Sequence, residues 1–393
     1  MKDILLMMKD IEVMRINFDE GRYDVLNENL LPYQLKGRLR RIPDYSEIKS
    51  RYDDTQRIIA MNKCNEAIIS YLAARVLPLS RENAKKIYNL FGFSQLQDEI
   101  SKAKIALVCK AVSLQDNYWI KSEDDKTMWK DVNLRTNHLN EIIAQVSLHG
   151  SSLSLTGKIC TPELTGQGAY AKAWKREKDS LYLHKKGANG NTESKIEVMV
   201  SNILNICNVN HLEYKASSDN DVYTCKCKCM TTDNISILPG MDFISYCNVN
   251  QIDYYDKMMQ IDADSIYKMW IVDYLISNRD RHGLNWGFFY DCNTMEILGC
   301  HPLYDHNNSF DINLMQDKDA EYVFDSHMTI RQAAKEAMKH VDFYFKKQPT
   351  REMFLTDRQY QSFMERAKEL NIPIKIKKQS PIIDVEEEKD YGV

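Results

Sequence analysis

The stretch from Asp273 to Asp305 constrains this chain most. An apolar helical run, with Ile266, Met269, Trp270, Val272 and Ile276 at helical spacing, gives way to the polar loop Ser277-Asn278-Arg279-Asp280-Arg281-His282-Gly283-Leu284-Asn285. Gly287-Phe288-Phe289-Tyr290 then reads as a buried strand, Asp291-Cys292-Asn293 as a turn, and Glu296-Ile297-Leu298-Gly299 as a returning strand that leads to Pro302-Leu303-Tyr304-Asp305. Phosphoryl transfer needs an oriented hydroxyl and cations held against phosphates. In the kinase solution a loop Asp takes the hydroxyl proton, an Asn five positions later binds Mg²⁺, and a second Asp beyond a hairpin binds it too. Asp280, Asn285 and Asp305 have that order and spacing. Two hard oxygen ligands on adjacent loops suit Mg²⁺, which keeps several waters and uses few protein carboxylates. Asp and Asn are also ordinary turn formers, and the Asp-to-Asn spacing alone is common. The order helix, polar loop, hairpin, Asp gives it weight.

The paired motifs Asn278-x-Asp280-Arg281-His282-x-x-Asn285-x-Gly287 and Pro302-Leu303-Tyr304-Asp305-His306-Asn307-Asn308-Ser309-Phe310 resemble those of the HipA-like kinases, a divergent bacterial branch of the protein-kinase fold. The resemblance covers roughly residues 150 to 345. It implies an α+β, two-lobed, protein-kinase-like fold with an additional, mainly helical N-terminal module. The implied division is a family-specific module over 1–147, a β-rich ATP-binding part over 148–235, a helical part with the catalytic loop over 236–380, and an acidic tail over 381–393. Carried over by position, Asp280 is the catalytic base, and Asn285 and Asp305 are Mg²⁺ ligands. His282 either holds the backbone around Asp280 or moves a proton itself. Lys185, ending Leu181-Tyr182-Leu183-His184, is the expected nucleotide lysine, with Glu197 on the next helix as its partner. Lys186 competes, because neighbours on a strand face opposite sides, and Glu193 is the alternative acid. Arg279 and Arg281 are placed to neutralise phosphate or to pair with Asp305.

Two glycine turns are candidates for the phosphate-covering loop: Thr156-Gly157-Lys158 and Thr165-Gly166-Gln167-Gly168-Ala169. Neither carries the full Gly-x-Gly-x-x-Gly pattern. The backbone N–H groups around Gly166 and Gly168 offer a phosphate cradle or a plain hairpin turn. The resemblance further implies transfer of the ATP γ-phosphate to a Ser or Thr hydroxyl of a protein substrate, autophosphorylation for which Ser151, Ser152 and Ser154 are placed, a toxin-like role and a separate antitoxin-type partner. A catalytically silent pseudokinase and a small-molecule kinase are the alternatives. Ser113 to Lys121 and Trp129 to Asn133 form a second signature, similar to segments of HipA-like proteins from low-GC Gram-positive bacteria, to which no chemistry attaches.

Elsewhere the sequence predicts helices over Asn65–Val76, Ala84–Phe91 (capped at Ser80 and stopped by Gly92), Glu193–Ile206 (capped by Thr192), Thr329–His340 and Thr356–Leu370. Residues 1 to about 150 read as mixed, mainly helical structure. Strands are expected over Ser152–Gly157, Ala171–Trp174, Ser180–Lys185 and Val222–Met230, with Gly157, Gly166 and Gly168 punctuating a hairpin. Cys225, Cys227 and Cys229 alternate along the last strand and read as buried thiols, since zinc sites space paired cysteines more widely. With 52 basic against 56 acidic residues, the chain lacks the basic excess of a nucleic-acid-binding domain. The short basic run of Lys36 and Arg38 to Arg41 reads as a solvated face. The apolar run Ile4–Met8 is too short for a signal peptide, and no stretch is long and apolar enough for a membrane span. A cytoplasmic protein with reduced thiols is expected.

Overall fold

The computed structural model describes residues 3–18, 22–39, 54–93, 98–155, 161–166, 168–188 and 190–375, the side chains of 54–61, 64 and 326 excepted. Thr156-Gly157-Lys158, Gln167, Arg40, Arg41 and the acidic tail lie outside the described residues.

Strands β1 (Ile4–Met8), β2 (Ile11–Asn17) and β3 (Arg22–Val25) open the chain. Helices α1 (Asp54–Ala74), α2 (Ala84–Leu90) and α3 (Glu99–Val108) follow, then β4 (Tyr118–Ser122), α4 (Trp129–Val132) and α5 (Glu141–His149). The four strands form an antiparallel sheet in the order β3-β2-β1-β4. The N-terminal region, expected to be mainly helical, therefore also contains a sheet. Its central strand is the Ile4-Leu5-Leu6-Met7-Met8 run, buried along its whole length. Alternation sends Leu5 and Met7 to a cluster with Trp119 and Trp129, and Ile4, Leu6 and Met8 to the main core. A strand buried on both faces has no polar alternation to mark it.

A second antiparallel sheet joins β5 (Lys172–Glu177), β6 (Ser180–Lys185), β7 (Tyr214–Asp219) and β8 (Val222–Lys228) in the order β5-β6-β8-β7, with α6 (Thr192–Asn205) packed on β7 and β8. Then come β9 (Ile235–Pro239), α7 (Gly240–Val249) and the long α8 (Tyr254–Leu275), which bends at Asp262 (φ −161°, ψ 69°). β10 (Gly287–Asp291) and β11 (Ile297–Cys300) form the expected hairpin, and β10 also pairs with β9. The chain continues through α9 (Ile312–Gln316), β12 (Glu321–Tyr322), β13 (Asp325–Thr329), α10 (Ile330–Ala337) and α11 (Asp357–Glu369). Thr329 and Thr356 each cap their helix in a reciprocal box with a Gln three residues on.

Several local expectations are corrected. Ser151 to Leu155 forms no strand. The segment before Gly166 is a 3-10 turn, Glu163–Thr165, rather than a hairpin. Side chains compete for its backbone: Thr161 Oγ1 accepts from Glu163 N at 3.1 Å and Thr165 Oγ1 donates to Pro162 O at 3.0 Å. α2 begins at Ala84 as expected, but the residue before it is Asn83, held at φ 65°, rather than a cap at Ser80, and Asn191 rather than Thr192 precedes α6. Cys225 and Cys227 are buried beside Tyr214, while Cys229 lies beyond the strand with its thiol 3.3 Å from Thr231 Oγ1. Among the described residues no helix is long and apolar enough to cross a membrane.

The second signature is a joint. Asn117 Nδ2 donates to Asp233 O (2.8 Å), Asn133 Nδ2 to Asp233 Oδ1 (3.1 Å), and Arg135 to Asn117 Oδ1 (2.9 Å) and Thr231 Oγ1 (2.8 Å). These bonds fasten β4 to the turn between β8 and β9. Arg75 on the preceding turn clasps Asp116 with both Nη atoms, at 2.6 and 2.9 Å. One apolar cluster runs through both halves, from Ile4 to Leu370.

Candidate active site

Glu197 lies on the buried face of α6, between Ser194 and Ser201. A carboxylate there must be paired. Lys185 supplies the pair from the end of β6: its Nζ is 3.2 Å from Glu197 Oε2, 2.8 Å from Asp305 Oδ1 and 3.1 Å from the Tyr214 hydroxyl. Ser194 Oγ donates to Lys185 O at 3.1 Å and fixes the strand end against the helix start. Glu197 Oε1 accepts from His306 N at 2.9 Å, so the helix also grips the backbone beside Asp305. Lys186 points elsewhere, 3.9 Å from Glu82. Glu193 stands at the first turn of α6 without reaching Lys185.

Electrostatics follow from this packing. Burial pulls the Lys185 ammonium down, but Asp305 and Glu197 outweigh it and hold it well above the usual lysine range. Burial pushes the Asp305 carboxyl up, and Lys185 with Lys172 reverses that and holds it far below normal. Glu197 stays raised, because burial exceeds the pull of Lys185. Asp305 is thus the principal counter-ion. It sits at φ 60°, a left-handed conformation that Asp tolerates better than most residues, and the neighbouring Ser277 and Phe310 share that sign (φ 49° and 56°). Such local strain concentrates at functional loops.

The loop carrying Asp280 is built around Arg281, which is fully buried. Its guanidinium takes Asp273 of α8 in a fork (Nη2 to Oδ1 2.8 Å, Nε to Oδ2 3.0 Å), and Asp273 also accepts from Asn278 Nδ2 and the Tyr322 hydroxyl. Arg281 Nη1 donates to Asn285 O at 2.6 Å and to Tyr304 O at 3.2 Å. One nitrogen therefore holds together the backbones of Asn285 and of the residue before Asp305. This corrects the expectation for the arginines: Arg281 pairs with Asp273 and pins the loops, and Arg279 pairs with Asp311 at 3.0 Å. Buried guanidinium groups need a full set of acceptors, and Arg281 finds it in the protein.

Asp280 is one-third exposed at the loop surface. Its Oδ2 accepts from Asn308 Nδ2 at 2.7 Å, and its carbonyl accepts from Asn285 Nδ2 at 2.7 Å. That second bond fixes the Asn285 amide and leaves its Oδ1 as an acceptor. His282 Nδ1 accepts from Leu284 N at 3.2 Å, closing the turn, while Nε2 stands 3.6 Å from Asp280 Oδ1. Asn285 Oδ1 and the Asp305 carboxylate are hard oxygen donors of the kind Mg²⁺ takes. Among the described residues no three His, Cys, Asp or Glu side chains form a closed metal cage.

Lys172, at the start of β5, was not anticipated. Its ammonium meets no carboxylate at ion-pair distance among the described residues. Burial, then Arg81 and Lys185, bring it down to about 7 against the opposing pull of Asp305. Gly168 (φ 97°) lies directly above it: a Cβ there would come within 2.4 Å of Lys172 Nζ. The sequence signal is a lysine between Ala171 and Ala173, just after the glycine turn. Asn308 was missed as well, hidden among turn-forming residues.

No protein-family model matches the chain, and no curated protein matches it. Among solved structures it is similar to HipA of Shewanella oneidensis MR-1, from the toxin–antitoxin complex of HipA, HipB and operator DNA. The identity is 12 %, the match covers 94 % of this chain and 98 % of that one, and the TM-score is 0.50. It is also similar to the proinflammatory kinase CtkA of Helicobacter pylori, at 13 % identity over 52 % of this chain and 90 % of that one, with a TM-score of 0.40. The chain has a HipA-like, α+β kinase fold.

Proposed function

We propose that the chain is an ATP- and Mg²⁺-dependent phosphotransferase, a HipA-like serine/threonine protein kinase. The observation that carries this is the single arrangement in which Lys185 bridges Glu197 and Asp305 while Arg281 ties Asp305 to the loop of Asp280 and Asn285. Asn285 and Asp305 would hold the Mg²⁺, which would supply positive charge to offset that of the phosphates. Lys185 and Lys172 face the phosphates, with backbone N–H groups near Gly166 and Gly168 above them. Asn308 occupies one oxygen of Asp280 and leaves the other for the acceptor hydroxyl. The hydroxyl oxygen bonds to the γ-phosphorus, the bond to the β-phosphate oxygen breaks to release ADP, and the hydroxyl proton passes to Asp280. His282 holds the turn. A cytoplasmic location for the chain belongs to this reading, as does a separate antitoxin-type partner, the latter supported by the likeness to HipA from a complex with HipB.

Incubation with γ-labelled ATP and Mg²⁺ tests it. Label is expected on a Ser or Thr of this chain or of an added protein. Transfer to a small-molecule hydroxyl instead, or release of free phosphate alone, overturns the protein-kinase assignment.

A further inference from the structure

The segment Leu77–Asn83 belongs to the N-terminal region, far in sequence from the catalytic loop, yet it backs the glycine turn directly. Leu77 N donates to Leu164 O at 2.7 Å and Glu82 N to Ala169 O at 2.8 Å. Between them Arg81 inserts a side chain with no solvent exposure. Its Nη1 donates to Gly166 O at 3.3 Å, and its Nη2 donates to Ser147 Oγ at 2.8 Å and to Lys172 O. Ser147 Oγ donates in turn to Lys172 O at 2.6 Å. Glu163 Oε2 stands 3.6 Å from Arg81 Nη2, while Glu163 Oε1 accepts from Trp174 N at 2.8 Å. A Cβ on Gly166 would lie 2.6 Å from Arg81 Nη1, so glycine is what lets the guanidinium reach the turn.

We infer that Arg81 is a positioning residue for nucleotide binding: it clamps together Gly166 O and Lys172 O, on either side of Gly168 in the chain, and so fixes the main chain that faces the phosphates. A buried arginine whose only duty is charge balance needs a carboxylate. This one spends two of its bonds on the main-chain carbonyls of Gly166 and Lys172 and is Glu163's counter-ion as well. Charged hydrogen bonds to backbone carbonyls fix position more firmly than neutral ones. The N-terminal region thereby acts on ATP through the turn it supports. The inference rests on the kinase reading above.

The test compares wild type, Arg81→Lys, Ser147→Ala and Arg75→Lys. Lysine keeps the charge opposite Glu163 but cannot span Gly166 O and Lys172 O together. Arg75→Lys damages another largely buried pair, Arg75–Asp116, that makes no bond to Gly166 or Lys172. The KM for ATP is expected to rise about tenfold in Arg81→Lys, the loss typical of a charged hydrogen bond, and to rise in the same direction in Ser147→Ala. The KM for the acceptor should not change. Amide hydrogen exchange over 161–174 should accelerate in both. Arg75→Lys should lower the melting temperature and leave the KM for ATP alone. An unchanged KM for ATP in Arg81→Lys, or in Ser147→Ala should the first variant not fold, overturns the clamp while the kinase reading stands. A wild type that binds no ATP overturns the kinase reading and the clamp with it.

Discussion

Lys172 makes a quantitative prediction about protons. Its ammonium is brought down to about 7 by burial beneath the glycine turn and by Arg81 and Lys185 nearby. At pH 8 about one-tenth of the unliganded protein then carries the charge, and at pH 6 about nine-tenths does. A triphosphate arriving beside Lys172 favours the charged form, because an opposite charge at contact distance raises a lysine pKa by a unit or more. Binding of Mg·ATP at pH 8 should therefore take up about 0.4 proton for a one-unit rise and about 0.8 for a two-unit rise, and at pH 6 about 0.1. Titration calorimetry in two buffers of different ionisation heat reads the number directly. Lys172→Met should abolish most of the uptake at pH 8 and weaken binding more at pH 6 than at pH 9. Uptake that is absent in the wild type, or unchanged in Lys172→Met, refutes the placement of Lys172 against the phosphates. The same shift bears on stability: between pH 7 and the ordinary lysine value of 10.5, the unfolded chain holds a proton the folded one has released. This group's contribution to stability consequently rises with pH across that window.

Lys185→Met should lower kcat/KM for ATP by at least a hundredfold, whereas Lys186→Met, whose ammonium faces Glu82, should leave it within about threefold of wild type; steady-state kinetics decides between them. Arg281→Met strands the buried Asp273 carboxylate and should cost about 3–5 kcal/mol, read as a lower urea midpoint. Adding Asp273→Asn should recover part of that loss. Equal midpoints for wild type and Arg281→Met would show that the guanidinium does not pin the loops.

The stretch from α8 to Asp305 was legible because each of its signals is local. The α8 helix, the polar loop and the β10–β11 hairpin follow one another within a few dozen residues, and periodicity changes mark each boundary. The Lys185–Glu197 pair was legible as a strand lysine followed by a helical acid. The β1–β4 sheet was not, because Ile4–Met8 is buried on both faces and pairs with Tyr118–Ser122, over a hundred residues away. Arg281 was misread for a related reason. Its composition suggests phosphate, but α8 brings Asp273 back to it, and an acceptor set for a buried guanidinium is a property of packing. Arg81 and Lys172 escaped notice because their meaning lies in the contact between the segment after α1 and the turn before β5. The second signature likewise carried no chemistry in sequence because its work is mechanical, fastening β4 to the β8–β9 turn.

The most direct measurement is phosphate transfer from γ-labelled ATP with Mg²⁺ for the wild type and Asp280→Asn, alongside ATP affinity for both. Asp280 is surface-accessible, and its Asn308 bond is replaceable by an amide oxygen. The variant should therefore fold and bind ATP as the wild type does while transfer falls by about a hundredfold or more. Equal transfer by both proteins, or none by a wild type that binds ATP, would contradict the assignment of Asp280 as the base of a working kinase.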